Sequence, residues 1–188
     1  MGYGFDLVHL PSGVDRMEAY KKNLEEQEAR ALERSRGLDN LGPLDPSKEQ
    51  VKQRLATALM AKHPSLELSK RDYAKIAKAR SIDEAEARRR FRNLEVNEKR
   101  WNIQINLFDD TAGISLAFVG DGEESRNALR VVWDCLQVLE SEGGFSTYDP
   151  QAGKVLNLES DFDTVFKYYA GDVNLKRNPE KQRWWKFG

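Results

Sequence analysis

The pattern of hydrophobic and polar residues divides the chain into segments with helical and with strand periodicity. Residues 3–10 have the composition of a short strand, which Pro11 ends. From about 14 to 91 the apolar residues recur every three or four positions, which predicts a series of helices. The first of these covers about 14–36, and its narrow apolar face predicts a helix that lies on the surface.

Three further helices are predicted where two polar residues have the spacing of an N-terminal cap. The pairs are Ser47 with Gln50, Ser69 with Asp72, and Ser81 with Glu84. His63 ends the first of these helices, because a residue before proline disfavours the helical conformation.

After residue 92 the hydrophobic period changes to two, which is typical of strands. Apolar residues alternate with polar ones over 94–96, 103–107 and 114–118, and the turn at 109–113 joins the last two segments. These short connections predict an antiparallel meander. A helix over about 123–142, strands at 145–148 and 154–158, and a helix capped by Asp161 or Asp163 complete the prediction.

The order of these elements predicts an α+β fold, because strands and helices are segregated along the chain. We expect an antiparallel sheet of about five strands with packed helices and an all-helical N-terminal or inserted region. A single domain over 1–172 contains a helical subdomain at about 47–91 beside the sheet. A basic, aromatic C-terminal tail follows at 173–188.

Composition places the chain among soluble, highly charged globular proteins. It has 188 residues, of which 39% are hydrophobic and 32% charged. The sequence contains no run of about 18 apolar residues, the length that a membrane-spanning helix needs. The N-terminus lacks the basic and apolar segments of a secretion signal. The one cysteine, Cys135, excludes an intramolecular disulfide and is typical of a reducing compartment. We therefore expect a cytoplasmic protein.

The formal net charge of −1 conceals an uneven distribution along the chain. Residues 61–100 contain twelve basic and seven acidic residues, whereas residues 101–172 contain four basic and thirteen acidic ones. Residues 173–188 contain five basic residues and one acidic residue. This asymmetry either solvates two faces of one domain or attracts a partner of opposite charge.

The sequence contains no pattern that indicates a metal, cofactor or catalytic site. His9, His63 and Cys135 are far apart, without the spacing of a zinc site. The pairs Asp109 with Asp110 and Asp161 with Asp163 are explained by turns and helix caps. We therefore predict no catalytic residue, no metal and no cofactor, and an uncharacterised enzyme is the least favoured class.

A glycine loop at Gly120-Asp121-Gly122 lies between a predicted strand and a helix, where phosphates often bind. Asp121, Glu123 and Glu124 place negative charge at the same point. Like charges 4 Å apart repel by about 4 kcal/mol at an effective dielectric of 20, against roughly 0.3–1 kcal/mol from the helix dipole. Repulsion wins, so phosphate binding is not expected there.

A basic helix provides the alternative functional hypothesis, a nucleic-acid-binding accessory protein. The residues that would contact phosphates are Arg88, Arg89, Arg90 and Arg92. Asp83, Glu84 and Glu86 occupy the first turn of the same helix, so internal salt links on a solvated face are the favoured interpretation. Nucleic acid is accordingly an unlikely partner.

Five segments together resemble a family of small bacterial immunity proteins encoded beside polymorphic or type VI secretion toxins. They are GFDLVHLPSGVD, DYAKIAKARSIDEAEARRRFRNLEV, WNIQINLFDDTAGISLAFVG, GGFSTYDPQAGKVLNL and RWWKFG. The resemblance implies a non-enzymatic cytoplasmic inhibitor whose partner is a cognate toxin protein. Within the Tyr148-Asp149-Pro150-Gln151 motif, aspartate and proline suit a turn, and the glutamine can tie the loop backbone.

The acidic segment suggests how such an inhibitor binds, because a toxin that acts on nucleic acid needs a basic cleft. The first set of predicted partner-binding residues is Asp109, Asp110, Asp121, Glu123 and Glu124. A second set is Tyr148, Asp149 and Gln151. We expect the two turns that carry the first set to lie at one end of the sheet. The aromatic cluster Trp184-Trp185-Lys186-Phe187 either docks on the domain or serves an interface.

Overall fold

The structure of the chain is a computed structural model that describes residues 2–11, 15–35, 43–117 and 122–170. Its strands are β1 (Gly2–Val8), β2 (Glu67–Leu68), β3 (Leu94–Glu98), β4 (Ile103–Leu107), β5 (Thr111–Ala117), β6 (Ser146–Asp149) and β7 (Lys154–Val155). Its helices are α1 (Arg16–Ser35), α2 (Pro46–Lys62), α3 (Tyr73–Arg80), α4 (Glu84–Arg90), α5 (Glu123–Gly143) and α6 (Phe162–Tyr169). The predicted α+β class is confirmed.

All the strands join one antiparallel sheet in the order β2-β3-β4-β5-β1-β6-β7. The predicted meander is present as β3, β4 and β5. The N-terminal strand β1 pairs with β5 from Gly2 opposite Ala117 to Val8 opposite Thr111, and with β6 along its other edge. The first residues of the chain thus connect the meander to the β6–β7 hairpin.

Two details of the prediction are wrong. The described sheet has seven strands rather than about five, and the region before the meander is not all helical, because β2 pairs with β3. A strand of two residues is too short to show a period of two in the sequence. Its pairing depends instead on the neighbouring strand, which lies some 28 residues later in the chain.

The main core lies between one face of the sheet and the helices α2, α5 and α6. Alternate residues such as Ile103, Ile105 and Leu107 point into it. The α2 residues Leu55 and Leu59 are buried in the same core, so this helix contributes to it. Burying such side chains contributes roughly 1.5–3 kcal/mol each.

Helix α1 covers part of the opposite sheet face. Tyr20 stacks on Tyr148 with ring centroids 3.7 Å apart, and its hydroxyl donates to a carboxylate oxygen of Asp6 at 3.2 Å. Met17 and Leu24 pack against the same small cluster. The predicted apolar stripe of this helix therefore fixes it to β1 and β6.

Helices α2, α3 and α4 begin at aspartates rather than at the predicted serines. The carboxylates of Asp45, Asp72 and Asp83 accept hydrogen bonds from backbone N–H groups in the first turns of α2, α3 and α4. Ser81 instead ends α3 in the left-handed conformation, with φ of 55°. Within the described ranges, no helix has the length and apolarity needed to cross a membrane.

Candidate functional site

The turn between β4 and β5 is held against α2 by a network of buried charges. Asp109 accepts from Lys52 Nζ at 3.0 Å and pairs with the Arg92 guanidinium at 2.5 Å. The Lys52 side chain is only 2% exposed, and Asp109 and Arg92 are 14% and 16% exposed. Charges that are removed from water in this way are tolerated when they are paired and hydrogen-bonded.

Lys52 satisfies all three of its ammonium donors. Besides Asp109, it donates to Glu49 Oε1 at 2.5 Å and to the Arg92 carbonyl oxygen at 2.8 Å. One buried ammonium thus ties α2 both to the β4–β5 turn and to the segment before β3. The charge of Asp109 is neutralised within the protein, and its role is to position the turn.

The outer side of the same region presents carboxylates to solvent. Asp110 is 60% exposed and pairs with Lys48 Nζ at 2.7 Å. Asp45 is exposed beside it at the start of α2, and hydrogen bonds from the side chain and backbone N–H of Ser47 lower the pKa of its carboxyl. The Asp45 carboxyl is therefore ionised at neutral pH.

Apolar side chains are exposed at the same end of the molecule. Among the described residues, the large hydrophobic side chains that remain exposed are Leu44 at 45%, Val51 at 41% and Phe108 at 48%. A shallow depression of about 440 Å³ lies at Leu44, lined by residues 43–46, Lys48, Arg92 and Asp109.

The remaining predicted acids lie elsewhere, so the expectation that both turns share one end of the sheet is wrong. Glu123 and Glu124 are exposed in the first turn of α5, which follows the opposite end of β5. The seven residues of β5 separate the two ends by about 20 Å. Glu124 forms a long ion pair of 3.5 Å with Arg100, while Asp121 and the tail with Trp184, Trp185, Lys186 and Phe187 lie outside the described residues.

Two residues of the second predicted set are buried, which corrects the expectation that they contact a partner. Tyr148 is stacked under Tyr20, and Asp149 is 0% exposed. The Asp149 carboxylate accepts from the Tyr3 hydroxyl at 2.6 Å and from the backbone N–H groups of Gln151 and Ala152. The motif forms the predicted turn and anchors it to β1.

Burial dominates the electrostatics of this turn. Desolvation raises the pKa of Asp149 above its ordinary value, although the hydrogen bonds from Tyr3 and the turn backbone oppose the rise. The side chain of Gln151 is hydrogen-bonded in the amide orientation in which its nitrogen donates to the Gly4 carbonyl oxygen at 2.8 Å. Gln151 therefore supports the turn too.

The arginines of the alternative hypothesis make the internal salt links that the sequence predicts. Arg88 pairs with Glu84, and both Arg89 and Arg90 pair with Glu86. Hydrogen bonds from those two arginines lower the pKa of Glu86 to about 2. The fourth arginine, Arg92, belongs to the network around Asp109.

The described residues contain neither a cluster of metal ligands nor a reactive thiol. Residues 2–11, 15–35, 43–117 and 122–170 contain no group of three or more His, Cys, Asp or Glu residues arranged to hold a metal ion. Cys135 is buried in α5, and desolvation raises the pKa of its thiol to about 12. Such a thiol is almost entirely protonated at neutral pH.

Sequence reasoning missed Lys52 and the three exposed apolar residues. Lys52 carries a visible signal, because it lies three and seven positions before Leu55 and Leu59 on the apolar stripe of α2. The exposure of Leu44, Val51 and Phe108 has no such signal, since only the tertiary packing leaves them uncovered.

Comparison with known proteins leaves the chain without a family assignment. No family model matches it, and neither does any curated protein or solved structure with which it was compared.

Proposed function

We propose that this protein is an immunity protein, which binds a cognate bacterial toxin and neutralises it by occlusion without catalysis. The observation that carries the proposal is the excess of acidic residues in 101–172, thirteen against four basic ones. Several of these carboxylates, among them Asp110, Glu123 and Glu124, are exposed around the two ends of β5. The resemblance to immunity proteins provides the biological class.

An acidic surface of this kind suits a toxin whose active cleft is basic. Complementary charge speeds diffusional encounter, and its effect falls as salt increases. A folded surface that presents carboxylates then blocks the entry of an anionic substrate. Pairing with Lys48, Lys52 and Arg92 reduces the free charge at the β4–β5 turn, so the exposed acids carry the attraction while Asp109 positions the turn.

The test begins with the full chain as bait in a lysate of the native host at low and at high salt. We expect one stoichiometric protein partner whose capture weakens at high salt. Expressed alone in a heterologous host, this partner should arrest growth, and co-expression of the full chain should restore it. A captured partner that is harmless when expressed alone would contradict the immunity role.

The electrostatic mechanism has a separate test by charge reversal. The triple variant Asp110→Lys, Glu123→Lys, Glu124→Lys leaves the partly buried Asp109 in place, so Asp109 keeps its pairs with Lys52 and Arg92. We expect its association rate with the captured partner to fall sharply at low salt and to approach the wild-type rate at high salt. An association rate equal to that of the wild type at low salt would refute the mechanism.

Nucleic-acid binding is a second candidate, and the geometry of α3 and α4 favours it. The two helices contact each other, each has one buried alanine, Ala77 and Ala87, and Ser81 turns the chain between them in the left-handed conformation. Helix–turn–helix motifs join two helices by a tight turn in this way. Exposed ion pairs cost little to break, so the pairing of Arg88 and Arg90 does not remove their charge from a phosphate.

The acids Glu84 and Glu86 oppose this second function, because they lie in the first turn of α4, where a recognition helix would meet the bases. Salt-dependent retention of the full chain on duplex DNA, lost in the Arg88→Ala, Arg90→Ala variant, would support it. No retention on DNA or RNA at low salt would eliminate it.

A further inference from the structure

We propose that α1 detaches reversibly from the sheet and that Asp6 controls this step: its ionised carboxylate weakens the attachment, and removal of the charge strengthens it. This inference does not depend on the proposed function. It starts from how little holds α1 to the domain. Among the side chains described for this helix, at 16–26, only Tyr20 is buried.

The cluster beneath α1 is separate from the main core. Val8, Tyr20 and Tyr148 form it, and Met17 and Leu24 pack at its margin. The main core lies on the other side of the sheet and includes no described residue of α1. The pairing of β1 with β6 does not involve α1, so the helix can leave without dismantling the sheet. Elements with few buried contacts open locally at a lower free energy than the whole protein.

Asp6 lies within this contact, on the sheet face that α1 covers. Its carboxylate accepts a hydrogen bond from the Tyr20 hydroxyl at 3.2 Å, whereas such bonds are typically about 2.5–3.0 Å long. The buried Asp149 is better satisfied, with a bond of 2.6 Å from Tyr3 and two backbone donors. Asp6 is therefore the less well compensated of the two carboxylates.

None of the described groups that face Asp6 is a cation. They are Tyr20 on α1, Tyr148 and Asp149 on β6, and Gly113 on β5. The basic side chains of the neighbouring elements have other partners. Arg16 on α1 donates to Ser146 Oγ at 3.1 Å, and Lys154 on β7 pairs with Asp161 at 2.7 Å. An ionised Asp6 is thus covered by α1 without an opposite charge to stabilise it.

The balance of these interactions gives the direction of the pH dependence. Desolvation raises the pKa of Asp6, and the negative charge of Asp149 adds to the rise, while the hydrogen bond from Tyr20 opposes it. A carboxyl whose pKa is higher in the attached than in the detached state stabilises attachment when it is protonated. That stabilisation is lost as the pH rises through the pKa of the attached state. We therefore expect α1 to be held more firmly at acidic than at neutral pH.

The experiment is hydrogen–deuterium exchange of the full chain, followed by mass spectrometry, with rates corrected for the intrinsic pH dependence of each amide. We expect the amides of 18–26 to be protected at least about tenfold less than those in the buried middle of α5. Their protection should increase from neutral to acidic pH. Asp6→Asn, which keeps an acceptor for Tyr20, should raise it about tenfold at neutral pH and abolish the pH dependence.

Two further variants test the role of the charge itself. Glu25→Gln is the matched control, because it neutralises a carboxylate on the exposed surface of α1, and it should leave the protection of 18–26 unchanged. Tyr20→Phe keeps the stacked ring but removes the donor to Asp6, so it should lower that protection at neutral pH. Protection of α5 equal to that of the wild type would show that each variant remains folded.

The outcomes decide both parts of the proposal. Equal protection of α1 and α5 would overturn the local detachment, because both would then open only with the whole domain. Unchanged or lower protection of α1 in Asp6→Asn, or an equal increase in Glu25→Gln, would overturn the control by Asp6. These measurements need no toxin, so their failure is distinct from a failure of the immunity role.

Discussion

Replacing Lys52 with methionine removes the buried charge that ties α2 to the β4–β5 turn, while it keeps most of the apolar stem. The variant loses the hydrogen bonds of the ammonium to Asp109, Glu49 and the Arg92 carbonyl oxygen, and a charged hydrogen bond contributes about 1.5–3 kcal/mol. The ammonium no longer has to be desolvated, which offsets part of that loss. Because Asp109 keeps its pair with Arg92, we expect a net destabilisation of about 2–4 kcal/mol.

Urea unfolding followed by circular dichroism measures this change as a shift in midpoint at constant slope. The Lys52→Met, Asp109→Asn double variant completes a cycle, and we expect it to be less destabilised than the sum of the single variants, since the two residues contact each other. Lys99→Met is the matched control. It breaks the Lys99–Glu67 pair of 2.7 Å, whose side chains are 81% and 66% exposed, and should leave the midpoint unchanged because exposed pairs contribute little.

The predicted contribution of Lys52 is wrong if Lys52→Met and Lys99→Met shift the urea midpoint equally. Equal effects would mean that burial does not decide the value of an ion pair in this protein. Additivity in the double-variant cycle would likewise refute a direct interaction between Lys52 and Asp109 in solution.

Three further predictions concern Thr147, the Tyr3–Asp149 pair and Cys135. The buried Thr147 hydroxyl has no hydrogen-bond partner within the described structure, so Thr147→Val should raise the free energy of unfolding by about 1 kcal/mol; a decrease in a urea titration would contradict this. Tyr3→Phe removes a donor that lowers the pKa of Asp149, so the pKa of this carboxyl, already raised by burial, should rise further in carboxyl-carbon NMR titrations. Since that pKa is higher in the folded than in the unfolded state, Asp149 contributes stability at low pH that is lost as pH rises through its folded pKa; a folded-state midpoint at or below the ordinary value would refute this. Cys135, with a thiol pKa of about 12, should react with a disulfide reagent at pH 8 only in denaturant, and rapid reaction of the native protein would contradict its burial.

Local patterns in the sequence predicted most elements because they depend on neighbouring residues. The alternation of Ile103 and Ile105 with polar residues predicted β4, and His63 before Pro64 predicted the end of α2. The 149–152 turn followed from side-chain chemistry that acts within three residues. Interactions over such short distances along the chain can be seen in the sequence.

The predicted acidic site was only partly realised, because counting charges does not show which of them are paired. Asp109 and Asp110 are adjacent in the sequence, yet one is held by Lys52 and Arg92 while the other is exposed. Asp149 is buried and accepts a hydrogen bond from Tyr3, which lies 146 positions away in the sequence. Each of these outcomes depends on contacts between distant parts of the chain.

The sequence by itself therefore determined the α+β class, the meander and the uneven distribution of charge, because periodicity and composition follow directly from residue order. Only the tertiary structure placed β1 between β5 and β6, buried Lys52 against Asp109, and left Phe108 exposed. Strand order and burial arise from packing between distant segments, and that packing decided which charges remain available to a partner.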